Sequence, residues 1–145
     1  MIANERQYRI SKAELRRFDE AIDARRDSQP SEGVHPRIHA AIGASLESEA
    51  EELRLQIRRY EDLRDGRVDH RELDGLQELP LALIEARIVA GLTQKDLAEK
   101  LGLKQQQIQH WEATLYSGVG LERLQGVVDA LGMGMRETVS YAVSS

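Results

Sequence analysis

Residues 91–112 read GLTQKDLAEKLGLKQQQIQHWE, and this stretch decides the fold of the C-terminal part of the chain. Thr93 is a favourable N-cap residue and Gly102 supplies a sharp turn, so a short helix is predicted from Gln94 to Leu101. Ala98 falls on the inner side of that helix, where its small side chain lets a second helix touch it. The pattern indicates two short helices that cross near a right angle.

Further helices are predicted on both sides of this pair. Pro80 opens an amphipathic helix that Gly91 closes. Lys104–Ala113 forms the helix after the turn, with Ile108 on its inner side. Apolar residues at helical spacing then predict one more helix over Leu121–Leu131.

The order of Gly, Leu, Thr-Gln, Leu-Ala and Ile at these spacings resembles the Cro/phage-repressor (Xre-type) helix-turn-helix family. The resemblance covers roughly the C-terminal third to two fifths of the chain. It implies five short helices, the third of which lies in the major groove of DNA and contacts base edges. After Glu112 many family members have a glycine, whereas this chain has Ala113, so the end of the third helix stays open.

Carried over residue by residue, the resemblance assigns DNA contacts to two groups of side chains. Thr93 and Gln94 stand at a helix N-terminus, where backbone N–H groups attract a phosphate; the alternative for Thr93 is a purely structural cap. Glutamine amides on the next helix can pair with N6 and N7 of adenine, although they are also good solvated helix formers. The expected base-reading residues are Gln105, Gln106 and Gln109, with Lys104, Gln107 and His110 beside them.

The resemblance also implies a partly buried ion pair between Arg87 and Glu112, which would join the first helix of the domain to the end of the third. No comparable pattern supports catalysis or a cofactor. His35 and His39 are four residues apart, but Pro36 places His35 at the helix start and no carboxylates complete a metal site, so neither a metal nor a cofactor is expected.

The N-terminal half is predicted to form two helices. Ser11 and Glu14 have the spacing of a capping box, so the first helix is expected from there to about Arg26, burying three apolar side chains. Pro36 suits the first turn of a second, long helix that Gly66 can stop. One apolar stripe runs down that helix at three- and four-residue steps through Ile38, Ile42, Leu46, Ala50, Leu53, Ile57, Tyr60 and Leu63.

These elements give an all-α protein with an N-terminal helical hairpin over residues 1–66, expected to serve dimerisation, regulation or partner binding, a linker over 67–78 and a five-helix, lambda-repressor-like helix-turn-helix domain over 79–145. Residues 133–145 fit an edge strand, a dimer contact or a frayed terminus about equally well. The second helix of the hairpin carries arginines interleaved with acids, which indicates a solvated face or, alternatively, a second basic contact to DNA: Arg54, Arg58, Arg59 and Arg64.

Composition narrows the class of protein. The 145 residues are 41% hydrophobic and include no cysteine, which favours a folded chain without disulfides or thiolate metal sites. No apolar run is long enough for a membrane span or a secretory signal, so a cytoplasmic protein without a membrane partner is expected. A net charge of −5 argues against nonspecific coating of nucleic acid.

The sequence therefore predicts a non-enzymatic transcription regulator, most simply a repressor that binds a double-stranded DNA operator. Because one small module of this charge binds DNA weakly, a homodimer on a palindromic site is expected. Two alternatives stay open. The protein could be an antitoxin, HigA-like in layout, that binds a toxin protein through its N-terminal helices and represses its own operon, or it could use the fold only as a protein adaptor.

Overall fold

The computed structural model describes residues 1–142, and every regular element in that range is a helix, which confirms the all-α fold class. The chain divides into two compact units, Met1–Glu72 and the residues from Leu73 onward. No helix among the described residues is both long enough and apolar enough to cross a membrane. The elements are α1 (Glu5–Arg26), α2 (Pro36–Arg64), a 3₁₀ turn (Leu76–Glu78), α3 (Leu79–Val89), α4 (Gln94–Leu101), α5 (Gln105–Ala113) and α6 (Leu121–Leu131).

Helix α1 begins earlier than the sequence analysis expects. Asn4 is its N-cap, with its side-chain Oδ1 accepting a hydrogen bond from the backbone N–H of Gln7 at 2.8 Å. The expected start at Ser11 is wrong, because Ser11 and Glu14 lie inside a continuous helix whose backbone donors are already bonded to carbonyls one turn earlier. Asparagine is as effective an N-cap as serine, and the helix therefore gains almost two turns.

Helix α2 begins and ends where the sequence predicts. Pro36 occupies the first turn, and the imidazole Nδ1 of His35 accepts a hydrogen bond from the backbone N–H of Arg37 at 3.1 Å. At the other end Gly66 has φ +75°, and Arg67 N donates to the carbonyl of Asp62 at 2.8 Å. Glycine adopts this left-handed conformation without strain, whereas a residue with a side chain would not, so Gly66 is well suited to end the helix.

α1 and α2 form an antiparallel hairpin. Tyr8 packs against Tyr60 with ring centroids 5.1 Å apart, and the hydroxyl of Tyr60 donates to the carboxylate of Glu5 at 3.0 Å. The predicted apolar stripe of α2 is buried only in its C-terminal half. Ile38 and Ile42 are 55% and 45% exposed, because α1 alone does not cover the first turns of the longer helix.

In the second unit the inner sides of α3 to α6 meet in one core. Its centre consists of side chains with no exposed surface from all four helices: Leu83, Leu97, Ile108 and Val127. Ala98 is 1% exposed, as expected where helices touch. The limits of α4 and α6 match the sequence predictions.

The described part of this unit contains four α-helices and a 3₁₀ turn rather than the five helices that the resemblance implies. After Gly132, which has φ +63°, residues 133–142 form neither helix nor strand. Gly134 and the β-branched residues that follow are poor helix formers, which accounts for the missing fifth helix. Val143, part of the alternating pattern in the tail, lies outside the described residues.

Candidate nucleic-acid interface

The N-terminus of α4 is closed by a reciprocal capping box. Thr93 Oγ1 accepts from the backbone N–H of Asp96 at 3.0 Å, and Asp96 Oδ2 accepts from the backbone N–H of Thr93 at 2.9 Å. The Thr93 backbone N–H holds the pKa of the Asp96 carboxyl below its usual range, so this carboxylate stays ionised. The Asp96 carboxylate therefore already interacts with the N-terminus of α4, where a phosphate is expected from the sequence.

A tight turn connects α4 to α5. Gly102 has φ +68°, which a non-glycine residue adopts only with strain, and Leu103 N donates to the carbonyl of Ala98 at 2.8 Å. The backbone N–H of Lys104 is then bonded to Oε1 of Gln107 at 2.9 Å. Gln107, expected beside the base-reading residues, thus caps α5 with its amide oxygen.

One side of α5 faces solvent and the other faces the core. Ile108 is completely buried, and Trp111 is half-buried with its ring 5.7 Å from that of Tyr116. Residues three or four apart on a helix are neighbours, so the outward side chains form one continuous surface. All of the expected base-reading side chains on and just before α5 are exposed: Lys104, Gln105, Gln106, Gln107, Gln109 and His110.

A buried charged cluster lies on the opposite side of α5. Arg87 Nε donates to Glu112 Oε2 at 2.7 Å and Arg87 Nη2 donates to Glu112 Oε1 at 2.8 Å, so the pair is bidentate. The two side chains are only 3% and 2% exposed. Arg87 Nη1 also donates to the carbonyl of Leu92 at 2.9 Å, which ties the turn after α3 to the same guanidinium. The structure therefore brings together the two residues named as an ion pair from the sequence.

Gln94 occupies a different place from the one expected for its side chain. It is 6% exposed, and its Nε2 donates to Glu112 Oε1 at 2.9 Å. Its amide thus serves as the third member of the Arg87–Glu112 cluster and does not point outward toward a phosphate. No sequence pattern indicates this direction, because the first residue of a helix faces solvent or core depending on how the neighbouring helices cross.

The loop after α5 follows Ala113, which stands where many family members have a glycine. Leu115 and Tyr116 have φ values of 51° and 55°, and Tyr116 N donates to the carbonyl of Trp111 at 2.6 Å. Two successive left-handed residues without glycine are costly, and the burial of Tyr116, 4% exposed, offsets that cost. Burial raises the pKa of the Tyr116 hydroxyl well above its usual range, and the nearby Glu112 carboxylate adds to the effect.

The histidine pair near the hairpin loop is engaged in structural contacts. His35 caps α2, and the guanidinium Nη2 of Arg25 bonds to the carbonyl of His39 at 2.7 Å and to its Nδ1 at 3.1 Å. Across residues 1–142, no group of three or more acidic or imidazole side chains is placed to hold a metal ion.

The site therefore consists of the nine-residue helix α5. Its polar side chains face solvent, and its inner side carries the buried Ile108 and the Glu112 of the charged cluster. Neutral amides can donate and accept hydrogen bonds at base edges, and the exposed Lys104 can approach a phosphate.

Comparison with known proteins agrees with this geometry. Residues 83–137 match a family model described as helix-turn-helix, of the Cro and phage-repressor type, and the matched range includes α4, the Gly102 turn and α5. No curated protein and no solved structure matches the chain significantly. Residues 83–137 are therefore a helix-turn-helix domain of the Cro and phage-repressor (Xre) type, the kind of domain that DNA-binding transcription regulators carry.

Proposed function

We propose that the protein is a transcriptional repressor that binds a double-stranded operator as a homodimer, with α5 in the major groove. The observation that carries this proposal is the two-sided character of α5. Its outward surface presents exposed glutamine amides, while its inner surface is held by the Arg87–Glu112–Gln94 cluster. A recognition helix needs both, because base contacts discriminate only when the side chains are held at a fixed position.

The dimensions and chemistry of α5 suit the groove. An α-helix with its side chains is about 10–12 Å in diameter, and the major groove is about 12 Å wide, so α5 can enter it. Gln105, Gln106 and Gln109 are exposed near the N-terminal end, the end that usually contacts bases in this motif. Each bidentate contact to adenine would contribute roughly 1–3 kcal/mol of discrimination.

Phosphate contacts would come from the residues around the two helix starts. The hydroxyl of Thr93 accepts from Asp96 and can still donate to a phosphate oxygen. Lys95 and Lys104 are exposed beside these positions and supply positive charge. Because Asp96 weakens the field at the start of α4, we expect phosphate binding there to be modest, which is consistent with a requirement for two copies on the DNA.

The experiment compares specific and nonspecific DNA affinity in three variants. After footprinting on the protein's own promoter has located the operator, Gln106→Ala should weaken operator binding by roughly tenfold or more and leave binding to random DNA nearly unchanged. Thr93→Ala should lower both affinities. Gln125→Ala is the matched control, since Gln125 is an exposed glutamine on α6 that is bonded to Asp129. Equal losses on operator and random DNA in Gln106→Ala would reject the assignment of α5.

A second candidate function is an antitoxin. One observation favours it: the hairpin α1–α2 is a compact unit of its own and leaves Ile38 and Ile42 exposed, so it could bind a partner protein while the other unit binds DNA. Co-expression with the product of a neighbouring gene tests it. A stable complex that needs only residues of the hairpin would support the antitoxin, and a protein that binds no operator at all would support an adaptor.

A further inference from the structure

Gln107 differs from the other glutamines of α5 because its side chain is bonded to the start of its own helix. Its Oε1 accepts a hydrogen bond from the backbone N–H of Lys104 at 2.9 Å, and its backbone N–H donates to the carbonyl of Lys104, also at 2.9 Å. These two bonds between the same two residues hold both the backbone and the side chain of Gln107 in place before DNA arrives.

The chemistry of the Lys104 bond determines which end of the Gln107 amide is available. A backbone N–H can only donate, so its partner must be the oxygen of the amide and not the nitrogen. The Nε2 group with its two N–H donors is left on an exposed side chain, and it makes no hydrogen bond within residues 1–142. Gln107 therefore offers donors to a partner, while its acceptor is already engaged.

The other glutamines of α5 have no such restriction. The side chains of Gln105, Gln106 and Gln109 make no hydrogen bond in the described part of the chain. Each of these amides can turn freely and place an acceptor beside a donor, which is the pattern that N6 and N7 of adenine require. In Gln107 the same turn would break the bond with Lys104 N–H that closes the start of α5.

A group that only donates suits a partner that only accepts. On the major-groove edge guanine carries two neighbouring acceptors, O6 and N7, whereas adenine carries one acceptor beside the N6 amino donor. A phosphate oxygen is likewise an acceptor without a donor. Because the Gln107 amide is already held in one direction, a contact with either group also costs little side-chain entropy.

We propose that Gln107 contacts DNA only as a hydrogen-bond donor, on an acceptor-only group: the O6 and N7 edge of guanine or a phosphate oxygen. The inference rests on the proposed function, in which α5 lies in the major groove. It deepens that function by giving one glutamine of α5 a different preference from its neighbours. The free amides select adenine, whereas Gln107 does not.

The test measures coupling between Gln107 and single groups of the footprinted operator. Dissociation constants of wild type and Gln107→Ala are compared on the unmodified operator and on operators with one altered nucleotide. Each guanine in turn is replaced by 7-deazaguanine, which lacks N7, or by O6-methylguanine, whose O6 is blocked, and each phosphate in turn by a methylphosphonate. One replacement should weaken wild type by roughly fivefold and leave Gln107→Ala unaffected. Its identity distinguishes a guanine contact from a phosphate contact.

A second variant separates the DNA contact from the stability of α5. Gln107→Glu keeps a side-chain acceptor for Lys104 N–H but has no donor, so the start of α5 should stay closed and the coupling should be lost. The added negative charge repels every DNA alike, and this uniform effect cancels in the ratio of unmodified to modified operator. A midpoint of urea unfolding equal to that of wild type shows that the fold is intact.

Gln106→Ala is the matched comparison on the same helix, and it should couple to 7-deazaadenine. Coupling of Gln107 to 7-deazaadenine would overturn the inference. So would the absence of coupling to every altered guanine and phosphate, or a coupling that survives in Gln107→Glu. Either result, with Gln106 still coupled to adenine, leaves the proposed placement of α5 standing, whereas a protein in which neither glutamine couples to DNA contradicts both proposals.

Discussion

Replacing Glu112 with alanine removes the acceptor of three hydrogen bonds and leaves a buried guanidinium without its counter-charge. Two of the lost bonds come from Arg87, at 2.7 and 2.8 Å, and the third comes from Gln94 at 2.9 Å. Because these side chains belong to α3, α4 and α5, the substitution weakens the contact between three helices at once. The predicted consequence is a large loss of stability in the second unit.

The size of the loss follows from the burial of the pair. Breaking a buried ion pair by removing one partner costs about 3–5 kcal/mol. The carbonyl of Leu92 still accepts a hydrogen bond from Arg87 Nη1, so we expect a value near the lower end, about 3 kcal/mol. With an m-value of roughly 1.5 kcal/mol/M, this lowers the midpoint of urea unfolding by about 2 M.

The measurement is equilibrium urea unfolding followed by tryptophan fluorescence. Trp111 is the only tryptophan of the chain and lies next to Glu112, so its emission reports on this unit. Glu99→Ala, at an exposed position on α4, is the matched control and should change stability by no more than about 0.5 kcal/mol. Arg87→Leu/Glu112→Leu should recover most of the loss, since no unpaired charge remains. A Glu112→Ala variant as stable as Glu99→Ala would refute the reasoning.

Three other substitutions test the backbone and the loop after α5 by the same unfolding measurement. Gly102→Ala should destabilise by about 1–2 kcal/mol, because φ is +68° and a Cβ there meets no neighbour that could compensate. Gly126→Ala, in the middle of α6 and equally free of neighbours, should stabilise by about 0.5–1 kcal/mol; a loss at both positions would contradict the backbone explanation. Tyr116→Phe should leave stability at pH 7 unchanged or raise it by about 1 kcal/mol, because the buried hydroxyl has no hydrogen-bond partner in residues 1–142. Since burial raises the pKa of Tyr116 in the folded state, wild type should lose stability as the pH rises above about 10, where the unfolded chain ionises, and the phenylalanine variant should lose less; parallel pH profiles would contradict this.

The elements that the sequence predicted well are those whose ends are set by local chemistry. α4 is bounded by the Thr93 cap and the Gly102 turn, and α6 ends at Gly132, so a few residues determine each helix independently of the rest of the fold. Cap and turn preferences of about 1 kcal/mol are sufficient to fix such short helices once an apolar side is buried. The division of α5 into a polar outer side and an apolar inner side was predicted in the same way, from the position of Ile108.

The features that the sequence did not predict depend on packing between elements. A capping-box spacing at Ser11 looked like a helix start, but Asn4 offers an equally good cap and the longer helix buries Tyr8. The apolar stripe of α2 could be recognised, yet its exposure at Ile38 depends on where α1 ends. The inward direction of Gln94 depends on how α3, α4 and α5 cross. The spacing of residues within α4 carries no information about these crossing angles.

The position of Gln94 links the stability of the domain to its proposed recognition of DNA. A glutamine with its amide outward at the start of α4 could have contacted a phosphate, whereas the observed glutamine bonds to Glu112 and holds α4 against α5. In the proposed complex this arrangement gives up one contact to DNA and gains a fixed angle between α4, which is expected to approach the backbone, and α5, which is expected to approach the bases. Because a shift of about 1 Å is sufficient to lose a bidentate contact, this fixed angle contributes more to discrimination between bases than one further neutral contact to a phosphate would.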